Sequence, residues 1–128
     1  MNSYIQRKEQ LSLPKHTQQA QSVNIHSNFN DHAERTNRII DYTTISEGGL
    51  TATLVDLRIV MQTALVSNAT SLILSHNHPS GMLKPSVQDD ELTRKIKEAC
   101  RIMEIRLLDH IIVTPENGYY SYADEGRL

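Results

Sequence analysis

The chain has 128 residues, 38% of them hydrophobic, and carries a formal net charge of −2 at pH 7. This length suits one domain and is too short for two ordinary ones. The charge gives no support for direct binding to nucleic acid, because DNA-binding domains usually present a basic face. The apolar runs are far shorter than a bilayer span, so we expect no association with a membrane.

The beginning of the chain is polar. Residues 1–36 are rich in Gln, Asn, Ser and His and show no sustained period of two or 3.6 residues. Such a segment buries too little apolar surface to offset the entropy that ordering costs. We therefore expect a poorly ordered extension over residues 1–36 and a folded domain over residues 37–128. Because no signal-peptide core is visible and Cys100 is the single cysteine, we expect a cytoplasmic protein.

The first predicted strand covers residues 38–46, where β-branched and aromatic residues are concentrated. Two glycines break it, and residues 51–55 form either a short strand or a loop that leads into a helix. Asp56 is a plausible N-cap for that helix. The apolar residues that follow it recur at helical spacing, and they are Leu57, Val60, Met61, Ala64 and Leu65.

A short apolar run over residues 71–75 predicts a buried strand, and a loop with Pro and Gly follows over residues 76–85. A second helix is predicted from Ser86, and its apolar stripe has spacings of four, three and four residues. That stripe is Leu92, Ile96, Ala99 and Met103. Residues 107–113 and 119–122 are predicted strands. This order of elements is typical of an α/β (α+β) domain with helices packed on a mixed sheet.

Residues 75–90, S-H-N-H-P-S-G-M-L-K-P-S-V-Q-D-D, contain the side chains of a possible metal site. If the strand stays extended to residue 78, His76 and His78 point to the same side, because side chains alternate with a period of two. The chain then returns as a helix whose first turn carries Asp89. Two imidazoles and one carboxylate leave the fourth position of a tetrahedral zinc open to water, which is typical of catalytic zinc sites.

Each of these residues also has an ordinary structural explanation. An H-x-H pair alone is usually a coincidence of surface histidines. Ser86 and Asp89 match a capping box, S-x-x-D, in which the carboxylate lies near the positive end of the helix dipole. His110, beside Asp109 in a predicted strand, is either a partner of a metal ligand or a half-buried strand residue. Cys100 is expected in the core rather than as a nucleophile.

The complete string, H-N-H-P-S-G followed by S-x-x-D, resembles the JAMM motif of the JAB/MPN domain family, and most closely the JAB domain of RadC-like proteins. The resemblance also includes I-S-E-G-G-L-T-A-T-L-V-D, L-L-D-H-I-I-V-T and Y-Y-S-Y-A-D-E-G-R-L, and so covers about residues 37–128. It implies a mixed sheet flanked by helices, similar to the deaminase core. It also implies that His76, His78 and Asp89 bind Zn²⁺ and that Ser86 helps to orient water and to stabilise the oxyanion.

The resemblance also implies a glutamate that serves as general acid and base on an early strand. Its expected position is near residues 26–27, where this chain has His26 and Ser27, and the apolar strand that should follow is replaced by F-N-D-H-A-E-R-T. Glu34 serves in its place only if the register is shifted, and a solvated loop position is the competing interpretation. Loss of a general base typically costs about 10²–10⁴ in rate.

The resemblance therefore implies a zinc-dependent metallohydrolase that cleaves a peptide or isopeptide bond in an unidentified substrate. A second hypothesis is a catalytically impaired zinc-binding module that acts in protein interaction or in complexes associated with DNA repair. The missing glutamate favours this second hypothesis, and the intact ligand triplet favours the enzyme. A 2-His-1-carboxylate iron(II) site is a third possibility, which the resemblance to zinc proteins disfavours.

Overall fold

The computed structural model describes residues 21–31, 36–48 and 55–128, and these form one five-stranded sheet with two helices. The strands are β1 Gln21–Asp31, β2 Thr36–Gly48, β3 Ser71–Asn77, β4 Arg106–Val113 and β5 Tyr119–Ser121. The helices are α1 Leu57–Val66 and α2 Val87–Ile102. Among the described residues, no helix is long and apolar enough to cross a bilayer.

The sheet is mixed, as the sequence predicts. Its strand order is β2-β1-β3-β4-β5. β1 pairs antiparallel with both β2 and β3, β3 runs parallel to β4, and β4 pairs antiparallel with β5. The parallel pair needs a crossover connection, and α2 provides it. The predicted α/β class is therefore confirmed.

Strand β1 was not predicted. The sequence suggests no element before residue 38, yet β1 lies inside the sheet, where Val23 and Ile25 are buried. Two apolar residues separated by Asn24 are too weak a period-two signal to be recognised from sequence, and pairing with a strand on each side stabilises the segment instead. β1 therefore covers the edge of β3. Residues 1–20 lie outside the described residues, so the disordered extension and the boundary at residues 36–37 stay predictions.

Both helices pack on the same side of the sheet, called here the helix-facing side. Its core contains buried residues from β1, β3, α1 and α2: Val23, Ile25, Leu72, Leu74, Val60, Ala64, Ile96 and Cys100. Along α2 the predicted stripe is confirmed at Ile96, which is buried, and at Leu92, which packs against the core. It is wrong at Met103, which is 43% exposed, and it missed Thr93 and Cys100, two small residues that are buried at the contact.

Strand β4 contains a one-residue irregularity that matters for the site. Leu72 lies opposite Leu107, but Ile73 lies opposite Asp109, so Leu108 is an extra residue in β4. An extra residue reverses the alternation of side chains between the two faces of a sheet. As a result, Leu107 and His110, three residues apart, both lie on the helix-facing side.

Candidate metal centre

The two histidines of the H-N-H string lie at the carboxyl end of β3. All seven residues of β3 are buried, and His76 follows Leu72 and Leu74 on the helix-facing side. The chain stays extended past the strand, because the His78 backbone N–H donates to the carbonyl of Val113 in β4 at 2.8 Å. Both imidazoles therefore point to the same side, as the sequence predicts.

Helix α2 brings the carboxylate to the histidines. Ser86 caps the helix: its hydroxyl oxygen accepts from the Asp89 N–H at 3.1 Å, and the Ser86 N–H donates to Asp89 Oδ2 at 2.7 Å. The predicted capping box is therefore present. It does not compete with a ligand role for Asp89, because the box fixes the carboxylate in an orientation that also faces the two imidazoles.

Three potential ligand atoms converge at this point. His76 Nε2 is 3.0 Å from Asp89 Oδ1, and His78 Nε2 is 3.2 Å from Asp89 Oδ2. The two Nε2 atoms are 2.9 Å apart. Tetrahedral zinc with bonds of about 2.0–2.1 Å separates its ligand atoms by about 3.3 Å, so small outward shifts would admit a cation. Within the described residues, these three side chains are the group that could hold a metal ion.

The charges of the site favour an anionic Asp89. Burial opposes ionisation of Asp89, but the hydrogen bonds of His76 and His78 together outweigh burial and hold the pKa of Asp89 well below its ordinary value. The hydrogen bond with Asp89 raises the pKa of His78 above its ordinary value, against the effect of burial. A carboxylate that is ionised under ordinary conditions is what a divalent cation requires of its ligand.

The loop after β3 fixes the tautomer of His78. The Nδ1 of His78 lies 2.8 Å from the carbonyl oxygen of Met82. A carbonyl only accepts, so Nδ1 carries a hydrogen, and the neutral ring keeps on Nε2 the lone pair that a metal requires. Only the protonated ring donates from Nε2 to Asp89. Gly81 allows the turn because its φ is +82°, in the left-handed region that favours glycine. Asn117 Nδ2 donates to the Gly81 carbonyl at 2.8 Å and ties the loop to the β4–β5 turn.

His110 is fully buried and contacts the candidate ligands, so its interpretation as a half-buried strand residue was wrong. Its Nε2 lies 2.7 Å from His76 Nδ1, and its Nδ1 lies 2.5 Å from the hydroxyl of Thr93. Its ring stacks on Tyr122 with centroids 4.8 Å apart and 3° between the planes. Burial, followed by the nearby charge of His76, lowers the pKa of His110 well below its ordinary value.

Hydrogen bonds on both sides of the sheet hold the segment after β4 against His110. Buried Asp109 accepts hydrogen bonds from the Ser121 hydroxyl at 2.5 Å and from the Ala123 N–H at 3.0 Å. On the helix-facing side, the Tyr122 hydroxyl donates to Asp90 Oδ1 at 2.7 Å. These bonds hold the Tyr122 ring against His110, which accounts for the adjacent Asp and His in L-L-D-H.

The other predicted residues divide into three cases. Ser86 lies at the helix cap beside Asp89, and its role in catalysis stays a prediction. Glu34, the candidate general base, lies outside the described residues. Cys100 is buried, and burial raises the pKa of its thiol to about 11, which agrees with a core residue. Sequence reasoning missed Thr93, although its position four residues after Asp89 places both on one helix face.

Comparisons with known proteins give a family and several relatives. A family model described as RadC-like JAB domain matches residues 30–127. A protein of Flavobacterium johnsoniae described as UPF0758 protein is 49% identical over 90 residues, which cover 70% of this chain and 39% of the relative. Proteins with the same description from Streptococcus gordonii and Porphyromonas gingivalis are 50% and 42% identical over 92 and 91 residues.

The match extends over only part of these relatives. It covers 72% of this chain and 40% of the Streptococcus gordonii protein, and 71% of this chain and 40% of the Porphyromonas gingivalis protein. The chain therefore spans about two fifths of the length of the curated relatives it matches.

Proposed function

The chain belongs to the RadC-like JAB domain family, and from that premise we propose that it is a zinc-dependent hydrolase that cleaves a peptide or isopeptide bond. Family membership supports a domain of the metallohydrolase type. The observation that carries the proposal further is the convergence of two imidazole Nε2 atoms and one carboxylate, all within 4.8 Å of one another. This donor set suits zinc and leaves a fourth position for water or substrate.

The proposed ligands are His76, His78 and Asp89. A zinc ion held by them would supply Lewis acidity, which polarises a substrate carbonyl and lowers the pKa of a water molecule to about 7. The protein contributes the geometry. The cap of α2 orients Asp89, and the Met82 carbonyl orients His78. These two ligands therefore have a fixed direction before metal binds, which limits the reorganisation that binding requires.

Ser86 is proposed to stabilise the developing oxyanion. Its hydroxyl oxygen accepts the hydrogen bond of the helix cap, so its own hydrogen can still donate to a substrate oxygen. Preorganised donors of this kind act on the charge that forms in the transition state. Glu34 is the proposed proton acceptor, and the cytoplasmic location and the peptide or isopeptide substrate are likewise proposals.

Metal content and hydrolysis test this function together. Protein purified without added metal is analysed for zinc and iron, and then assayed with quenched fluorescent peptides joined either through the main chain or through a lysine ε-amide. We expect one equivalent of zinc and hydrolysis that a chelator abolishes and Zn²⁺ restores. Asp89→Asn, which keeps the shape but removes the charge of the ligand, should lose both.

Three outcomes separate the hypotheses. Iron as the resident metal would replace zinc with the 2-His-1-carboxylate alternative. Stoichiometric zinc with no hydrolysis, unchanged by Glu34→Gln, would favour the impaired module that acts in protein interaction or in complexes associated with DNA repair. Hydrolysis that Glu34→Gln reduces by about 10²–10⁴ would identify Glu34 as the general base.

A further inference from the structure

A chain of hydrogen bonds connects one candidate ligand to the backbone of another. His76 Nδ1 is 2.7 Å from His110 Nε2, and His110 Nδ1 is 2.5 Å from Thr93 Oγ1. The Thr93 hydroxyl in turn bonds the backbone carbonyl of Asp89 at 2.7 Å. The four groups come from β3, β4 and α2, and the three side chains are at most 4% exposed.

The two ends of this chain set the direction of every bond in it. A carbonyl oxygen only accepts, so the single hydroxyl hydrogen of Thr93 is directed to Asp89. The Thr93 oxygen must then accept from His110, which places a hydrogen on His110 Nδ1. At the other end, metal binding through His76 Nε2 requires a lone pair on that atom, so the ring hydrogen of His76 lies on Nδ1. His76 Nδ1 therefore donates to His110 Nε2.

We propose that His110 and Thr93 are positioning residues that hold His76 in the tautomer and ring orientation required for metal binding. The proposal rests on the proposed metal site but not on hydrolysis. Outer partners of this kind fix the tautomer of metal-binding histidines and raise their basicity. The tautomer of His78 is fixed separately, by the hydrogen bond from its Nδ1 to the Met82 carbonyl. The two histidines thus have independent partners, one in a loop and one in the core.

Tyr122 extends the arrangement outward. Its ring stacks on His110, and its hydroxyl donates to Asp90 at 2.7 Å. Stacking restricts rotation of the His110 ring, so both ring nitrogens stay aligned with their partners. A role in packing alone would require only a flat ring of this size at position 110. Phenylalanine supplies such a ring without either nitrogen, and it therefore separates packing from hydrogen bonding.

The test uses matched variants of the full chain and Zn²⁺ as the probe. His110→Phe keeps the stacked ring, whereas His110→Gln supplies one acceptor and one donor in place of the two ring nitrogens. Thr93→Val removes the hydroxyl at nearly constant volume, and Thr93→Ser keeps it. Zinc dissociation constants are measured by competition with a chelator, and circular dichroism confirms that each variant is folded. Nitrogen-15 NMR of the metal-free protein at pH 8 assigns the hydrogen on the His110 ring.

We expect His110→Phe to weaken zinc binding by about 10–100-fold, the range typical for loss of an outer partner. Thr93→Val should fall at the lower end of that range, about tenfold. His110→Gln and Thr93→Ser should recover most of the affinity, and the NMR spectrum should place the His110 hydrogen on Nδ1.

Two results would overturn the inference and leave the metal site intact. One is unchanged zinc affinity in folded His110→Phe, and the other is a hydrogen on His110 Nε2 in the wild-type protein. Absence of zinc binding in the wild-type protein would instead overturn the proposed function, and the inference with it.

Discussion

The helix-facing side of β3 and β4 has an apolar half and a polar half. Leu72 and Leu74 pack among the side chains of the helices, and His76 and His110 continue the same rows of residues. Leu74 is 1% exposed, His76 4% and His110 0%, so the two halves are buried to the same degree. They differ in the contacts that their side chains require. Apolar packing is nondirectional, whereas each imidazole nitrogen requires a hydrogen-bond partner at a defined position.

Because of this difference, substitutions in the two halves should have different effects on stability and on ligand orientation. Substitution in the apolar half leaves a cavity and lowers the free energy of unfolding, but the ligand geometry in the remaining folded molecules is kept. Substitution in the polar half leaves a buried donor or acceptor unsatisfied and redirects a neighbouring ring. Loss of stability and loss of ligand orientation can therefore be measured separately.

Leu74→Ala should give the largest loss of stability. Removal of a buried leucine side chain lowers the free energy of unfolding by about 2–5 kcal/mol, measured by chemical denaturation. Leu65, 48% exposed on α1, is the matched control, and Leu65→Ala should stay within about 0.5 kcal/mol. A change in zinc affinity of folded Leu74→Ala as large as that of His110→Phe would remove the distinction between the two halves.

Substitution of Ser86 separates the helix cap from the proposed chemistry. Ser86→Ala should lower the free energy of unfolding by about 0.5–2 kcal/mol, because the cap to the Asp89 N–H is lost. Asparagine caps as well as serine, so Ser86→Asn should keep the stability of the wild-type protein and lose only hydrolysis. Equal hydrolysis by Ser86→Asn and the wild-type protein would limit Ser86 to a structural role.

The pH dependence of stability reports on the apolar half. Burial raises the pKa of the Cys100 thiol from 9.0 to about 11, so the unfolded chain loses this proton first as the pH rises. The folded state then binds more protons than the unfolded chain. The free energy of unfolding therefore falls as the pH rises above the pKa of the thiol in the unfolded chain, by about 1 kcal/mol at pH 9.5. Chemical denaturation of the wild-type protein and of Cys100→Ala from pH 7 to 9.5 measures this loss, and the same pH dependence in both proteins would contradict burial of the thiol.

The smallest effect is expected at the rim of the polar half. Arg127 binds Asp90 Oδ2 at 2.9 Å, but the two side chains are 44% and 42% exposed. Such pairs are worth about 0–1 kcal/mol, so Arg127→Gln should lower the free energy of unfolding by less than about 1 kcal/mol. Zinc affinity should not change, since His110 keeps its stacking on Tyr122. A tenfold loss of zinc affinity would extend the orienting network to the surface.

Local signals in the sequence predicted most elements. The caps at Asp56 and Ser86, the helices that follow them, and strands β2 to β5 were all visible as turn residues and apolar patterns. β1 was missed because much of its stability comes from pairing with β3, which is distant along the chain. Pairing partners of that kind leave no local pattern.

The candidate site was predictable to the extent that it is local. His76, His78 and Asp89 lie within residues 76–89, so one strand, one turn and one helix start suffice to bring them together. His110 was ambiguous, because its face depends on the extra residue at Leu108. The contact with Thr93 depends on the packing of α2 against β4, which spacing along the helix alone does not determine.

The extra residue in β4 also shows where this strand tolerates a change of length. Deletion of Leu108 would restore simple alternation and leave Leu107, Asp109 and His110 on their present faces, because Leu107 already lies opposite Leu72 and Asp109 opposite Ile73. Deletion of one residue after His110 would instead shift the residues that follow by one position along β3 and so exchange their faces. Within β4, position 108 is therefore the place where the chain can lose a residue without turning His110 away from His76.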